Sequence, residues 1–344
     1  MAEKKVCILS LDGGGIRGIL SGEIVKALER KLREVSGSEK NIGDFFDFIA
    51  GTSTGGIMAS AYLVPNEMGT AKYSASSIQE IYTEEGDQIF PPNFFRKYWS
   101  YLVNEQYDAG GLEKELTEFF GDCRLSELIR PCLITSYDME ARNAKLFNSQ
   151  SVKDAIHDFY MRDVVRATSA APTYFEPAAI ESISGGYRYH LIDGGIYANN
   201  PALCAYAEVR KMHFGKVIGD NIEKTPSAKN MCIVSIGTGN VKKPYRFNEY
   251  KHAGKISWVQ PLVDMLMSGN SETVDYQLRR MYETLDAQDR QDYYRLEPAI
   301  NLSCTEMDDV SQENIRNLLK DGQTFVERNE GLLEEIARKV VQYF

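Results

Sequence analysis

The chain has 344 residues, of which 43% are hydrophobic, and a formal net charge of -10. This length is sufficient for the core of one large domain or two modest ones. The acidic balance argues against a broad nucleic-acid interface, which requires a basic surface. We therefore expect no DNA or RNA partner.

The sequence gives no indication of export, membrane insertion or metal binding. The first residues, MAEKKVCILSLD, lead into an apolar run too short for a signal peptide, and no stretch has 18 consecutive apolar residues. These features predict a cytoplasmic protein. Six cysteines lie scattered without a CxxC pair, and four histidines form no HExxH motif. We expect no disulfide framework, no bound metal and no cofactor.

Short β-rich runs alternate with helical runs along the chain. In order these are KVCILSL and SGEIVKALERKL, FFDFIAG and GGIMASAYL, PCLITSY, YHLID and PALCAYAEVRKM, and MCIVSIG. The alternation predicts an α/β fold in which a largely parallel sheet carries helices on both faces. Ligands of such sheets lie at the carboxyl ends of the strands. The final segment, from Ser311 onward, predicts two amphipathic helices packed on the outside.

The first motif is LDGGGIRG, which follows a predicted strand and opens a helix. Its glycines at Gly13, Gly15 and Gly18 match G-x-G-x-x-G, as in an NAD(P)-dependent oxidoreductase. That fold expects an acidic residue at the end of the second strand, where this chain has IAGTSTGG. Successive glycine amides also form anion-binding concavities. An oxyanion hole, with Arg17 adding positive charge, fits as well as a pyrophosphate cradle.

The second motif is G-x-S-x-G at residues 51–55, between FFDFIA and GIMASAYL. A strand-to-helix turn with small neighbours is what a nucleophile elbow requires, because the strained turn exposes the hydroxyl of Ser53. The alternative is an ordinary turn at a helix N-terminus. A phosphate-binding P-loop does not fit, since Ile57 stands where that motif has lysine.

The third motif is LIDGGIYANNP, in which Asp193 ends a predicted strand. An Asp-Gly pair by itself also fits a simple turn. A serine nucleophile requires a base. His213 and His252 follow Asp193, so the order Ser, Asp, His is formally available. Neither histidine has a distinctive setting, and His190 lies within a predicted strand.

DGGGIRG, GTSTGG and DGG, in this order, resemble the motifs of the patatin-like phospholipase family. The stretches IYTEEGDQIFP, LITSYD, ATSAAPTYFEP and LIDGGIYANNPALCAYAE are also similar to that family. The resemblance covers about residues 6–296. It implies a three-layer patatin-like fold over residues 6–300, with residues 301–344 as a C-terminal helical extension packed on the same domain.

The resemblance also implies a catalytic dyad without histidine. By matching position, Ser53 is the nucleophile and Asp193 is its base. The implied oxyanion hole consists of the backbone amides of Gly13, Gly14 and Gly15, with Arg17 lending support. An aspartate with an ordinary pKa near 3.9 is a weak base at neutral pH, so we expect burial to raise the pKa of Asp193.

The family acts on lipid acyl esters, which implies membrane phospholipids as substrates and a fatty acid and a lysolipid as products. The aromatic segment QIFPPNFFRKYWSYL, Gln88 to Leu102, suits a membrane interface or a mobile lid. The alternative is that its rings only cover the sheet.

The chain looks more like the cytosolic bacterial branch of the family, which includes phospholipases activated by cyclic nucleotides in anti-phage defence. This resemblance implies a cyclic-nucleotide activator and action at the inner face of a membrane. The sequence leaves oligomerisation open. Two other functions also stay open: the dinucleotide-dependent oxidoreductase and a catalytically silent binding protein.

Overall fold

A computed structural model describes residues 4–83, 109–212, 225–239, 244–252, 254, 256–304 and 306–343. The segment Gln88 to Leu102 lies outside this part of the chain. The described strands form one sheet in the order β5-β6-β3-β2-β1-β7-β8, with β4 paired to β3. They are β1 (Val6–Leu11), β2 (Phe48–Gly51), β3 (Cys132–Asp138), β4 (Asn143–Asn148), β5 (Ala178–Glu181), β6 (Arg188–Asp193), β7 (Met231–Ile236) and β8 (Tyr293–Leu296).

The predicted α/β fold with a largely parallel sheet is confirmed. Strands β3, β2, β1, β7 and β8 run parallel to one another. The pairs β3–β4, β3–β6 and β5–β6 are antiparallel, which the sequence did not predict. The antiparallel edge matters for the site because β6 ends at Asp193.

The described helices alternate with these strands. They are α1 (Gly18–Ser36), α2 (Ile42–Phe45), α3 (Thr54–Leu63), α4 (Ala75–Thr83), α5 (Ala109–Phe120), α6 (Met161–Thr168), α7 (Gly195–Ala198), α8 (Ala202–Lys211), α9 (Phe247–Tyr250), α10 (Val259–Glu283), α11 (Gln312–Arg328) and α12 (Glu330–Tyr343). Among them, none is both long enough and apolar enough to cross a membrane.

Helices cover both faces of the sheet, and β1 shows why. Its residues are buried on both faces, as a central parallel strand requires. Cys7, Leu9 and Leu11 point into the core shared with α1 and α3, whereas Val6 and Ile8 point into the core shared with α8 and α10. The period of two along the strand therefore separates the two cores and gives the three layers.

The two predicted C-terminal helices are present as α11 and α12. The Ser311 side chain caps α11 by accepting a hydrogen bond from the amide of Asn314 at 3.2 Å. Leu318 of α11 and Leu333 of α12 are buried in the same core as the apolar face of α1. The division into residues 6–300 and 301–344 stays a prediction.

Candidate active site

Ser53 occupies the turn between β2 and α3, as the elbow motif predicts. Its backbone has φ 54° and ψ -126°, and a positive φ is uncommon for a residue with a side chain. The Ser53 amide donates to Oγ1 of Thr168 at 3.0 Å, and its carbonyl accepts from the amide of Ile57 at 2.9 Å. These bonds hold a strained turn in place. The strand, turn and helix together match the context of a nucleophile elbow.

Gly55 allows the start of α3 to press against the end of β1. A Cβ atom at Gly55 would lie 2.2 Å from the carbonyl oxygen of Leu11. Any larger residue would push the helix away from β1 and move Ser53 with it. The glycine is therefore required by the close backbone approach that sets the position of the serine.

Asp193 reaches the serine from the other side of β3. Strand β3 lies between β2 and β6, and its Ile134 pairs with Gly51 while its Ser136 pairs with Asp193. Because β6 is antiparallel to β3, the carboxyl end of β6 returns toward the end of β2. This register brings Asp193 to the turn that carries Ser53.

The carboxylate of Asp193 is buried, with 3% of the residue exposed. It accepts a hydrogen bond from the amide of Gly195 at 2.7 Å, and the nearby Ser53 hydroxyl acts on its pKa as a second hydrogen-bond donor. Burial raises the pKa of Asp193 to about 7, against the smaller lowering effect of these two hydrogen bonds. The carboxyl therefore titrates near neutral pH, where a general base is effective.

The glycine loop lies against the serine, but its three amides differ in whether they already donate a hydrogen bond within the protein. The amide of Gly13 donates to the carbonyl of Asn199 at 3.1 Å. In the described part of the chain, the amides of Gly14 and Gly15 have no acceptor, and Gly15 lines the same cleft as Ser53. Two of the three predicted amides are therefore available to an oxyanion.

Side chains from distant parts of the chain hold the glycine loop. Thr238 Oγ1 donates to the carbonyl of Gly13 at 2.8 Å, and Asn199 Nδ2 donates to the same oxygen at 3.3 Å. A Cβ atom at Gly14 would lie 2.1 Å from Thr238 Oγ1. The loop is thus packed too closely for any side chain at that position.

Arg17 lies apart from the cleft. Its Nε donates to the carbonyl of Gly14 at 3.4 Å, and it lines a neighbouring cavity. The structure therefore brings together the serine, the aspartate and the glycine loop, while the Arg17 side chain contacts the loop from behind.

A buried ion cluster lies directly behind the loop. Asp12 receives two hydrogen bonds from Arg295, at 2.9 and 2.7 Å, and Arg295 also pairs with Glu297. Oγ of Ser271 donates to Asp12 at 3.3 Å. Since Asp12 precedes the three glycines, this cluster fixes the point from which the loop leaves β1.

The cleft at Ser53 and Asp193 is lined mainly by apolar side chains. Described residues from four separate segments contribute: Ala171, Pro172, Tyr174, Phe175, Ile196, Val263, Met267 and Met307. Such a lining suits an acyl chain, because apolar surface is favourably removed from water.

The described histidines do not approach the cleft. His157 Nδ1 lies 2.7 Å from Asp154, and His190 Nδ1 lies 2.8 Å from Glu140, both on the surface. His252 is exposed, and His213 lies outside the described residues. Within the described part, no group of His, Cys, Asp or Glu is arranged to hold a metal ion.

Sequence reasoning missed the residues that support the site. Thr238 and Arg295 lie in no motif, and Thr168 lies in ATSAAPTYFEP without a role that the pattern indicates; each reaches the site through long-range contacts. Asn199 lies within the third motif and could have been singled out as a polar residue beside the glycines. The pattern indicated it only as part of a turn.

A serine on a strand-to-helix turn that shares an apolar cleft with a buried aspartate defines a class: the site has the form of a serine hydrolase site on an α/β sheet. Residues 9–206 match the family model described as patatin-like phospholipase. The chain belongs to the patatin-like phospholipase family, and this membership supports lipid acyl hydrolase activity. This confirms the family predicted from the motifs and favours a hydrolase over a dinucleotide-dependent oxidoreductase.

Plant relatives match nearly the whole chain. Patatin-like protein 2 of Arabidopsis thaliana is 32% identical over 94% of this chain and 83% of its own length. Probable inactive patatin-3-Kuras 1 of Solanum tuberosum is 31% identical over 94% of this chain and 87% of its own length. A crystal structure of VipD from Legionella pneumophila is 13% identical, with a TM-score of 0.41, over 95% of this chain and 67% of that chain. Because one relative is named inactive, activity has to be argued from the site residues themselves.

Proposed function

We propose that the protein is a phospholipase A type hydrolase that cleaves acyl esters of membrane phospholipids through an acyl-Ser53 intermediate. The observation that carries this proposal is that Ser53, on its strand-to-helix turn, and the buried Asp193 carboxylate line the same apolar cleft. Family membership supports lipid esters as the substrate class.

The aspartate acts first as a general base. Asp193 accepts the proton of the Ser53 hydroxyl while Oγ attacks the ester carbonyl carbon, and the carbonyl π electrons move to oxygen. A serine hydroxyl is a weak nucleophile without such a base. The pKa of about 7 suits both directions of proton transfer at neutral pH.

The amides of Gly14 and Gly15 are the proposed donors to the oxyanion. Donors that are fixed before the reaction stabilise developing negative charge without reorganisation. The contacts of Thr238 with the loop supply this rigidity. The amide of Gly13, already bonded to Asn199, contributes by holding the loop.

The intermediate collapses when the ester bond to the lysolipid breaks. The leaving alkoxide takes the proton from Asp193, which leaves the acyl group on Ser53 and the aspartate ionised again. Water then attacks the acyl-serine as Asp193 accepts one of its protons. Release of the fatty acid returns that proton to Ser53 Oγ and restores the starting state.

The test is hydrolysis of a fluorogenic phospholipid by the wild type, Ser53→Ala and Asp193→Asn. We expect both variants to lose at least about 10³-fold in kcat, the size of loss typical of a nucleophile or its base. Ser60→Ala is the matched control, because Ser60 is buried on α3, the helix that follows Ser53, and its hydroxyl forms no hydrogen bond with any residue that the structure describes. This control should hydrolyse the lipid as the wild type does.

Two results would count against the dyad. Retained turnover in Ser53→Ala or Asp193→Asn would remove that residue from the mechanism. Loss of turnover in folded His213→Ala or His252→Ala would instead favour a histidine-dependent triad. A wild type that is silent on every acyl ester offered would support the catalytically silent alternative.

The resemblance to bacterial defence phospholipases leads to a second part of the proposal. A phospholipase in the cytoplasm needs a switch, since it would otherwise attack the inner face of its own membrane. We propose activation by a cyclic nucleotide. Vesicle hydrolysis measured with and without a panel of cyclic nucleotides tests this proposal. If the protein is fully active alone and no nucleotide of the panel changes its rate, it has no cyclic-nucleotide activator.

A further inference from the structure

A second cavity adjoins the cleft that holds Ser53. It has a volume of about 740 Å³, and Met267 and Met307 line both it and the cleft. Cavities of this size are typical of small-molecule sites. Arg17 also lines this cavity, and its Nε donates to the carbonyl of Gly14 in the glycine loop. A lipid whose ester lies at Ser53 thus has room beyond the two methionines for a further group.

The wall of this cavity is acidic. Its described residues carry seven carboxylates against three guanidinium groups, with no lysine and no histidine among them. Two of the guanidinium groups are already paired, Arg295 with Asp12 and Arg279 with Asp275 at 2.9 Å. An anionic ligand would meet repulsion from most of this wall, whereas a cation would be attracted.

Several carboxylates of the wall are available to a ligand. Glu249, Glu272 and Glu306 form no ion pair with any described residue. Unpaired carboxylates that face one cavity repel one another, so a bound cation relieves that repulsion. The wall is therefore complementary to a positively charged group.

Aromatic rings occupy the same wall. The rings of Tyr245 and Tyr250 stand nearly perpendicular, at 87°, with centroids 5.5 Å apart, and Trp258 packs on Tyr250 at 5.1 Å. The Tyr245 hydroxyl donates to Asp264 at 2.7 Å, which fixes its ring. Aromatic faces attract ammonium groups and form the cages that recognise choline-type ligands. Rings and carboxylates together are the groups that suit an organic ammonium ligand.

We propose that this cavity binds the ammonium-bearing headgroup of a phospholipid whose ester is cleaved at Ser53. Arg17 is the group available to the phosphodiester, since guanidinium donors match phosphate oxygens. Tyr245, Tyr250 and the unpaired carboxylates take the ammonium group. The inference rests on the proposed function for the ester, but the headgroup site can be tested without turnover.

The kinetic test compares phosphatidylcholine with phosphatidylglycerol of the same acyl chains in neutral detergent micelles. We expect the wild type to prefer phosphatidylcholine in kcat/KM, and Tyr250→Ala to reduce that preference about tenfold, mainly through KM. Tyr250→Ala does not change the net charge, so general repulsion of the anionic lipid by an acidic protein stays constant. Tyr276→Ala is the matched control, because this ring is 61% exposed on α10 and lies outside the cavity.

A binding test keeps the two proposals separable. Calorimetry with Ser53→Ala compares the affinity for lysophosphatidylcholine with that for lysophosphatidylglycerol. Soluble glycerophosphocholine, the free headgroup, is added as a competitor. We expect tighter binding of the choline lipid, and loss of that difference in the double variant with Tyr250→Ala. Equal binding of the two lysolipids, or an unchanged difference without Tyr250, overturns the headgroup site. A wild type that hydrolyses no ester but retains the choline preference refutes the proposed function and leaves the headgroup site standing.

Discussion

Replacing Asp193 by asparagine should stabilise the fold while it removes the proposed base. In the folded protein, burial raises the pKa of Asp193 from 3.8 to about 7. At about 1.4 kcal/mol per pKa unit, the charged carboxylate therefore costs the folded state roughly 4 kcal/mol above pH 7. Asparagine has a similar shape, can accept from Gly195, and carries no charge to desolvate.

The raised pKa of Asp193 makes the wild type less stable as pH rises. Below about pH 4 the carboxyl is protonated in both the folded and unfolded states, and the raised pKa carries no cost. As pH rises, the unfolded state loses its proton first, so the stability contributed by the protonated carboxyl is lost progressively until pH passes about 7. The advantage of Asp193→Asn over the wild type should widen by about 2 kcal/mol between pH 5.5 and pH 8.

Urea unfolding of the two proteins at several pH values is the assay, since changes in other titrating groups cancel in the difference. Ser53→Ala is the control: it lacks the nucleophile but retains the buried carboxylate, so it should not acquire the stability gain. A constant difference between Asp193→Asn and wild type across this pH range would refute the reasoning about desolvation.

Three other predictions follow from the same contacts. The kcat/KM for a neutral ester should rise with pH with an apparent pKa of about 7, the value for Asp193; a flat profile from pH 5.5 to 8.5 would contradict its role as base. Gly14→Ala should lower kcat at least about tenfold with the fold retained by circular dichroism, because the added Cβ would lie 2.1 Å from Thr238 Oγ1; wild-type kcat would show that the loop is not an oxyanion hole. Lys5→Met should lower the free energy of unfolding by about 3 kcal/mol while kcat stays unchanged, because Lys5 pairs at 2.5 Å with Asp292, which is fully buried; unchanged stability in urea would contradict this.

The central part of the site was predictable because its determinants are local. The strand before Ser53, the glycines around it and the helix after it all lie within one short stretch, so the strand-to-helix turn follows from the sequence. Asp193 was also predicted at a strand end. That this strand runs antiparallel, and so returns to Ser53 across β3, depends on pairing that no local pattern encodes.

The supporting residues were not predictable for a related reason. Asp12 and Arg295 are 283 positions apart, and their ion pair depends on β8 joining the far edge of the sheet. Nothing in the sequence near either residue indicates that it has a partner so far along the chain. The same is true of Thr238, whose contact with Gly13 arises only when the ends of β7 and β1 lie side by side.

The most direct test of the account is to locate the covalent intermediate. The wild type, Ser53→Ala and Ser60→Ala would be treated with a lipid-like fluorophosphonate and digested, and the labelled peptide identified by mass spectrometry. We expect a single adduct on Ser53 in the wild type and in Ser60→Ala, and none in Ser53→Ala. An adduct on another residue, or active lipid hydrolysis by a wild type that is never labelled at Ser53, would contradict it.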